Sequence, residues 1–156
     1  MIVYKVVNVK YKVATLSGIG DGKVGGRWSQ VGTKAIYGSE NISLAWLEYC
    51  VHSENITYLP IEILIAKIQF PDDFTMEELK DFPERWNQYP YVSRTTKVFT
   101  SLVKKKNLFA LRVPSTIVGL ESNIILNLFY KDFGKIEEIE FIEFPIDLRL
   151  KNDKRG

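Results

Sequence analysis

Apolar residues recur along this chain with two periods. Ile2 to Val7 and Tyr11 to Thr15 are rich in β-branched and aromatic residues, so two strands are expected at the start. Ser17 to Gly38 is dense in glycine and reads as a long ordered loop. Ser43 to Val51 reads as a helix. Ile61 to Phe70 is β-branched and bounded by Pro60 and Pro71, which predicts a strand. Thr75 and Glu78 have capping-box spacing, which predicts a short helix ending before Pro83. Ser93 to Lys105 places Val98 with Leu102 and Phe99 with Val103 at i,i+4, the stripe of a longer helix. Leu108 to Val113, Ile124 to Leu126, Ile139 to Phe144 and Ile146 to Leu150 are strand candidates. In the last, apolar residues alternate with Asp147 and Arg149. No regular βαβ repeat links these elements, so the expected class is α+β. One domain over residues 1–150 is expected, with a polar tail from Lys151 to Gly156.

Composition narrows the classes of function. The 156 residues are 46% hydrophobic and 13% aromatic, too apolar for a disordered chain. A chain of this length buries about two thirds of its unfolded surface, enough for a core and a pocket. Lys and Arg number 21 against 19 Asp and Glu, a balance that gives no support to a nucleic-acid or membrane coat. One Cys excludes an intrachain disulfide, and with one His it leaves too few ligands for a Cys/His zinc site. No apolar run reaches membrane-spanning length, and Met1 to Lys10 lacks the pattern of a signal peptide. A soluble cytoplasmic protein without a metal is expected.

Three motifs are set aside. Gly20 to Gly25 matches G-x-G-x-x-G, but no helical periodicity follows it, so a flexible loop is expected over Gly18 to Gly25. Lys104, Lys105 and Lys106 sit at the end of an expected helix, where cations meet the negative end of its dipole. Cys50 and His52 are two apart on a helix and do not face each other.

The helix around Trp46 carries the chemistry. Leu44, Ala45, Trp46, Leu47, Tyr49, Cys50 and Val51 make it apolar nearly all round, and Glu48 is its one carboxylate. Burying such a group alone costs several kcal/mol, so either it points out of the packing or it lines a polar pocket. Arg27, between Gly26 and Trp28, offers a planar fork for phosphate or carboxylate oxygens. Tyr37 offers a ring and a hydroxyl. Ser115 closes a strand, and Glu121, Asn123 and Asn127 follow it. The two asparagines flank apolar Ile124, Ile125 and Leu126, so they must bond turn backbone or a polar ligand.

The ordered set resembles the RES domain. Gly25-Gly26-Arg27-Trp28-Ser29, Gly32, Tyr37 and Gly38 look like its opening signature. Leu44-Ala45-Trp46-Leu47-Glu48 looks like its Glu-bearing helix, and Val113-Pro114-Ser115 with Glu121-Ser122-Asn123 and Leu126-Asn127 like its Ser and Asn block. The resemblance runs from about Gly20 to Phe133. Phe99 to Lys106 lacks the Gly-Asp-x-Trp stretch common in that family, and Leu128 stands where many members have Pro.

The resemblance implies an ADP-ribosyltransferase-like α+β fold, with two facing, mainly antiparallel sheets around an NAD cleft. It implies a toxin of a bacterial toxin–antitoxin pair that degrades NAD+ as a glycohydrolase or phosphorylase, or that transfers ADP-ribose to a protein. Its partner would be an Xre-type helix-turn-helix antitoxin that covers the active site, within a complex that allows a toxin homodimer. NAD+ would be the substrate. Glu48, Arg27 and Tyr37 would be catalytic, and Arg27, Tyr37, Ser115, Asn123 and Asn127 would hold NAD+. A nucleic-acid-binding module built on Lys104 to Lys106, Phe99 and Phe109 is the alternative from another class.

Overall fold

The computed structural model describes residues 1–53, 62–136 and 138–150. The tail expected from Lys151 onward lies outside the described residues, as does Ile61, the first residue of one expected strand. Seven strands are described: β1 (Ile2–Asn8), β2 (Ala35–Ser39), β3 (Ile63–Gln69), β4 (Met76–Glu78), β5 (Ala110–Pro114), β6 (Ser122–Asn127) and β7 (Glu138–Glu143). The helices are α1 (Ile19–Val24), α2 (Ile42–His52) and α3 (Ser93–Lys105). The class is α+β. Among the described residues no helix is long and apolar enough to cross a membrane.

The strands form one sheet in the order β4-β5-β6-β2-β1-β3-β7, antiparallel except for the parallel pair β4–β5. Two separate sheets were expected; the ladder is instead continuous, but very narrow at its centre. β1 pairs with β3 from Ile2↔Gln69 to Asn8↔Ile63, whereas β1 and β2 share only Tyr4↔Ser39. Gly38 lets them come this close. A Cβ there would collide with Val3 Cγ1 and lie 2.9 Å from the Tyr4 carbonyl oxygen. Beyond that contact the two edges leave a seam.

Side-chain alternation then sorts the two faces. On one face Val3, Val7, Ile36, Ala66, Ile68, Ala110, Ile124 and Leu126 join a single core that spans both halves of the sheet. On the other face there are two cores. Phe99 of α3 packs on Ala35, Leu111, Val113 and Ile125, while Ala45 of α2 packs on Val6, Ile63 and Ile65. Tyr4 and Ser39 are register partners and so face the same side, which puts both helices on that face, one over each half. The polar residues between the two cores define the site.

Four expected elements come out differently. Tyr11 to Thr15 belongs to a 3-10 turn, Val9–Ala14, because the Asn8 side chain caps Lys10 N at 3.0 Å and ends the strand. The expected glycine loop from Ser17 to Gly38 contains α1 and β2. The glycines hide a helix whose turns close through Gly22 N–H to Gly18 O at 2.9 Å and Gly25 N–H to Asp21 O at 2.7 Å. Thr75 to Glu78 is not a helix: Met76–Glu78 pairs with β5, and that ladder outweighs the capping pattern. Ile146 to Leu150 leaves the sheet and ends in a 3-10 turn, with Asp147 bonding Arg149 locally.

Candidate active site

Asn41 starts α2. Its Oδ1 accepts from Leu44 N–H at 2.7 Å, the ordinary role of an Asn cap. Its Nδ2 donates to Glu121 Oε2 at 3.0 Å, which ties the helix start to the turn before β6. Two turns on, the helix delivers Glu48 to the strip between the two cores.

Glu48 Oε1 accepts from Ser115 Oγ at 2.9 Å and from Asn123 Nδ2 at 2.5 Å. The direction of both bonds is fixed. Ser115 Oγ already accepts from Ile117 N–H at 3.0 Å and Val118 N–H at 3.1 Å, so its own proton turns to Glu48. Ser39 Oγ donates to Asn123 Oδ1 at 2.6 Å, which leaves the amide nitrogen for Glu48. Glu48 Oε2 faces His52 Nε2 at 3.5 Å, one turn later on α2. The Glu48 side chain is 20% exposed and His52 is 78% exposed, so the pair stands at the mouth of the site.

These contacts set the charge state. Burial pushes the Glu48 carboxyl up, but bonding from His52, Asn123 and Ser115 outweighs it and holds the group below the usual range. The same bond raises the His52 pKa, against burial and the charge of Arg27. Glu48 is therefore an ionised carboxylate at neutral pH, held through Oε1 by two hydrogen bonds.

Arg27 lies within charge reach of Glu48 and His52. Its Nη1 donates to the carbonyls of Trp86 at 2.7 Å and Gln88 at 2.8 Å, and its Cζ sits 5.6 Å from the Tyr91 ring centre. Part of the guanidinium thus fastens the segment before α3. Tyr37 has a similar supporting task. Its hydroxyl accepts from Trp28 N–H at 3.2 Å and bonds Ser29 Oγ at 2.8 Å. Burial raises the phenol pKa far above its ordinary value. A Cβ on Gly26 would lie 2.6 Å from that hydroxyl, so the Gly26-Arg27 turn is moulded on Tyr37.

Asn127 stands apart. It is buried four residues beyond Asn123 on β6, with Nδ2 donating to Leu108 O at 2.8 Å and Oδ1 accepting from Phe129 N–H at 3.0 Å. Both ends of its amide are spent on backbone, so it holds a turn. Ser39 and His52 were missed in the sequence. The Glu48–His52 spacing of i,i+4 was the available signal for the second; Ser39 had none, because its strand was hidden in the glycine-rich stretch. Lys106, by contrast, pairs with Glu77 at 2.8 Å at the foot of α3. Among the described residues no group of three His, Cys, Asp or Glu side chains could hold a metal ion.

The family described as RES domain matches residues 2–147. A protein of Yersinia enterocolitica named Toxin Res is 32% identical, over 97% of this chain and all of the relative. Toxin Res of Photorhabdus laumondii is also 32% identical, over 99% of this chain and all of its own length. A Sphingobium protein named Prs ADP-ribosylating toxin is 30% identical, over 90% of this chain and 89% of the relative. Matched over nearly its whole length, the chain belongs to the RES domain family.

Proposed function

We propose that this chain is a toxin that consumes NAD+ by breaking the bond between nicotinamide and ribose. The observation that carries this reading is the Glu48 carboxylate, fixed through Oε1 by Ser115 and Asn123, with Oε2 turned to the mouth. In that cleavage the electron pair of the C–N bond leaves with nicotinamide, which departs neutral. The ribose carbon becomes electron-poor, and a preorganised carboxylate stabilises such charge. Ser115 and Asn123 hold Glu48 in place, Arg27 and Tyr37 shape the wall around it, and the acceptor that completes the reaction is water or phosphate. Transfer of ADP-ribose to a protein is the second reading, favoured by the name of the Sphingobium relative. Both share the bond-breaking step.

The rest of the reading follows from the family. The narrow joint between β1 and β2 supports an ADP-ribosyltransferase-like arrangement with the NAD cleft at the seam. Residues 1–150 act as one domain in the cytoplasm, without a metal. An Xre-type helix-turn-helix antitoxin covers the cleft, in a complex that accommodates a toxin homodimer. The test is to incubate purified protein with NAD+, with and without phosphate, and to identify the products. Nicotinamide release is expected, with ADP-ribose or its phosphorylated form, and Glu48→Gln lowers kcat about a hundredfold or more. A protein that folds and releases no nicotinamide overturns the reading.

A further inference from the structure

Glu48 is well placed to steady a positive ribose carbon and poorly placed to take a proton. Its Oε1 accepts from Ser115 and Asn123, and its Oε2 faces His52. These contacts hold its carboxyl below the usual range, which makes it a weak base. His52 is biased toward its protonated form by the same pair, so it is no better. Yet a water that attacks the ribose carbon must lose a proton. Phosphate need not, because an ionised phosphate oxygen is already a nucleophile. The two acceptors thus differ in one requirement, a base.

Asp21 of α1 is a further carboxylate beside this cleft. Its helix packs on β2, and Gly18 at the helix start comes so close that a Cβ there would lie 3.2 Å from the Ala35 carbonyl oxygen. The turn that closes on the Asp21 carbonyl, from Gly25 N–H at 2.7 Å, leads straight into Gly26 and Arg27. Three other elements locate the side chain. Its charge acts on Lys5 of β1, on Tyr37 of β2 and on His52 of α2. Lys5 Nζ in turn donates to the Tyr37 carbonyl at 3.2 Å, across the seam. Asp21 therefore stands at the seam, within charge reach of the Glu48–His52 pair. Its carboxylate is nearly unspent. Among the described residues it accepts a hydrogen bond only from its own backbone N–H and forms no ion pair. Burial raises its pKa, against the charges of Lys5 and His52. Carboxylates of one cleft whose pKa values are pushed apart divide the work of catalysis. The lowered one, Glu48, stabilises charge, and the raised one, Asp21, moves protons.

We propose that Asp21 is the general base of this cleft and commits the reaction to water as the acceptor. The proposal rests on the NAD+-consuming reading and adds to it the acceptor and the residue that selects it. As the C–N bond breaks, its electron pair leaves with nicotinamide. A water oxygen bonds the ribose carbon, and one of its protons passes to a carboxylate oxygen of Asp21 and from there to solvent. The products are nicotinamide, ADP-ribose and one proton. The negative charge of Asp21 also repels a phosphate acceptor, so both effects favour hydrolysis.

The test measures ADP-ribose and its phosphorylated form separately, at saturating NAD+ with and without phosphate. It compares wild type, Asp21→Asn and Asp21→Ala, with thermal melting as the check on folding. Wild type should make mainly ADP-ribose even when phosphate is present. Asp21→Asn should lose hydrolysis about a hundredfold. Its phosphorolysis should keep its rate or gain, so the product mixture turns over to the phosphorylated form. Added formate should restore part of the hydrolysis in Asp21→Ala, because a small carboxylate fits the vacated space and takes the proton. A merely structural Asp21 would lower both reactions together, and formate would restore neither. If one variant does not fold, the other carries the comparison. A wild type that makes mainly the phosphorylated product overturns the proposal, as does an equal loss of both reactions or an unchanged rate of hydrolysis in a folded variant. Each of these leaves the cleavage of NAD+ standing. A wild type that releases no nicotinamide overturns the functional reading itself, and the role of Asp21 falls with it.

Discussion

Ser39 and Asn123 face each other across β2 and β6, and their side chains are joined, Ser39 Oγ to Asn123 Oδ1 at 2.6 Å. A strand register thereby fixes which end of an amide points at Glu48. Ser39→Ala removes the donor and frees the amide to turn its oxygen to the carboxylate. The fold should survive, and kcat for nicotinamide release should drop about tenfold. Asn123→Asp is harsher, since it sets a second carboxylate against Glu48. Its pH–rate profile should lose activity on the acid side at higher pH than wild type, because like charges raise a carboxyl pKa. Equal profiles would mean that Asn123 does not govern Glu48.

The Glu48–His52 pair sets a second pH dependence. Glu48 has a lowered pKa, so its contribution to stability is present above the unfolded carboxyl value and is lost as pH falls through the folded one. His52 has a raised pKa, so its contribution is present below the unfolded imidazole value and fades as pH rises through the folded one. The pair is therefore at full strength between the ordinary carboxyl value, about 4.3, and about pH 6.5, the ordinary imidazole value. NMR titration of the single imidazole should give a pKa above 6.5 in wild type, returning toward it in Glu48→Gln. An unchanged value in that variant would dissolve the pair.

Much of this could be read from the chain. The α2 and α3 helices and β3, β5, β6 and β7 lie where their apolar residues predict them, because a buried element needs a run of apolar side chains, periodic in α3 and nearly unbroken in α2 and β3. Glu48 stood out as the one carboxylate in an apolar helix; that Ser115 and Asn123, singled out as residues to hold NAD+, bond Glu48 itself was not legible there. What stayed hidden depends on distant partners. β4 is three residues long and exists because β5 offers an edge. Asn127 resembles Asn123 in the sequence, yet the carbonyl of Leu108 claims it. Arg27 offered a fork for phosphate or carboxylate oxygens, and only the folded chain brings the carbonyls of Trp86 and Gln88 to its Nη1.

Those last bonds make a prediction about motion. Trp86 also stacks on Trp28, with ring centres 5.8 Å apart. Arg27→Ala keeps the stack but removes both bonds to carbonyls, a loss of about 1–2 kcal/mol at a half-buried site. Residues 83–92 should then exchange amide hydrogens faster and be cut sooner by protease, while the β1–β3 ladder keeps its protection. If exchange in that segment is unchanged, the guanidinium does not hold it.

Gly26 and Tyr37 should prove energetically coupled. A Cβ at Gly26 would lie 2.6 Å from the Tyr37 hydroxyl and 2.8 Å from the ring carbon that bears it. Gly26→Ala must therefore displace either the turn or the ring, at a cost of about 1–3 kcal/mol. Tyr37→Phe removes the crowding oxygen but also strips a partner from Trp28 N–H and Ser29 Oγ, about 1–2 kcal/mol by itself. In the double variant the methyl group meets less obstruction, and a turn already detached from the ring loses nothing more by moving. Denaturant melts of the four proteins should then show the double variant more stable than the sum of the single losses predicts, by about 1 kcal/mol. Both single variants should also lower activity, because the displaced turn carries Arg27 with it. Strict additivity would show that the two residues do not bear on each other in solution, and that the Gly26-Arg27 turn is shaped by something else.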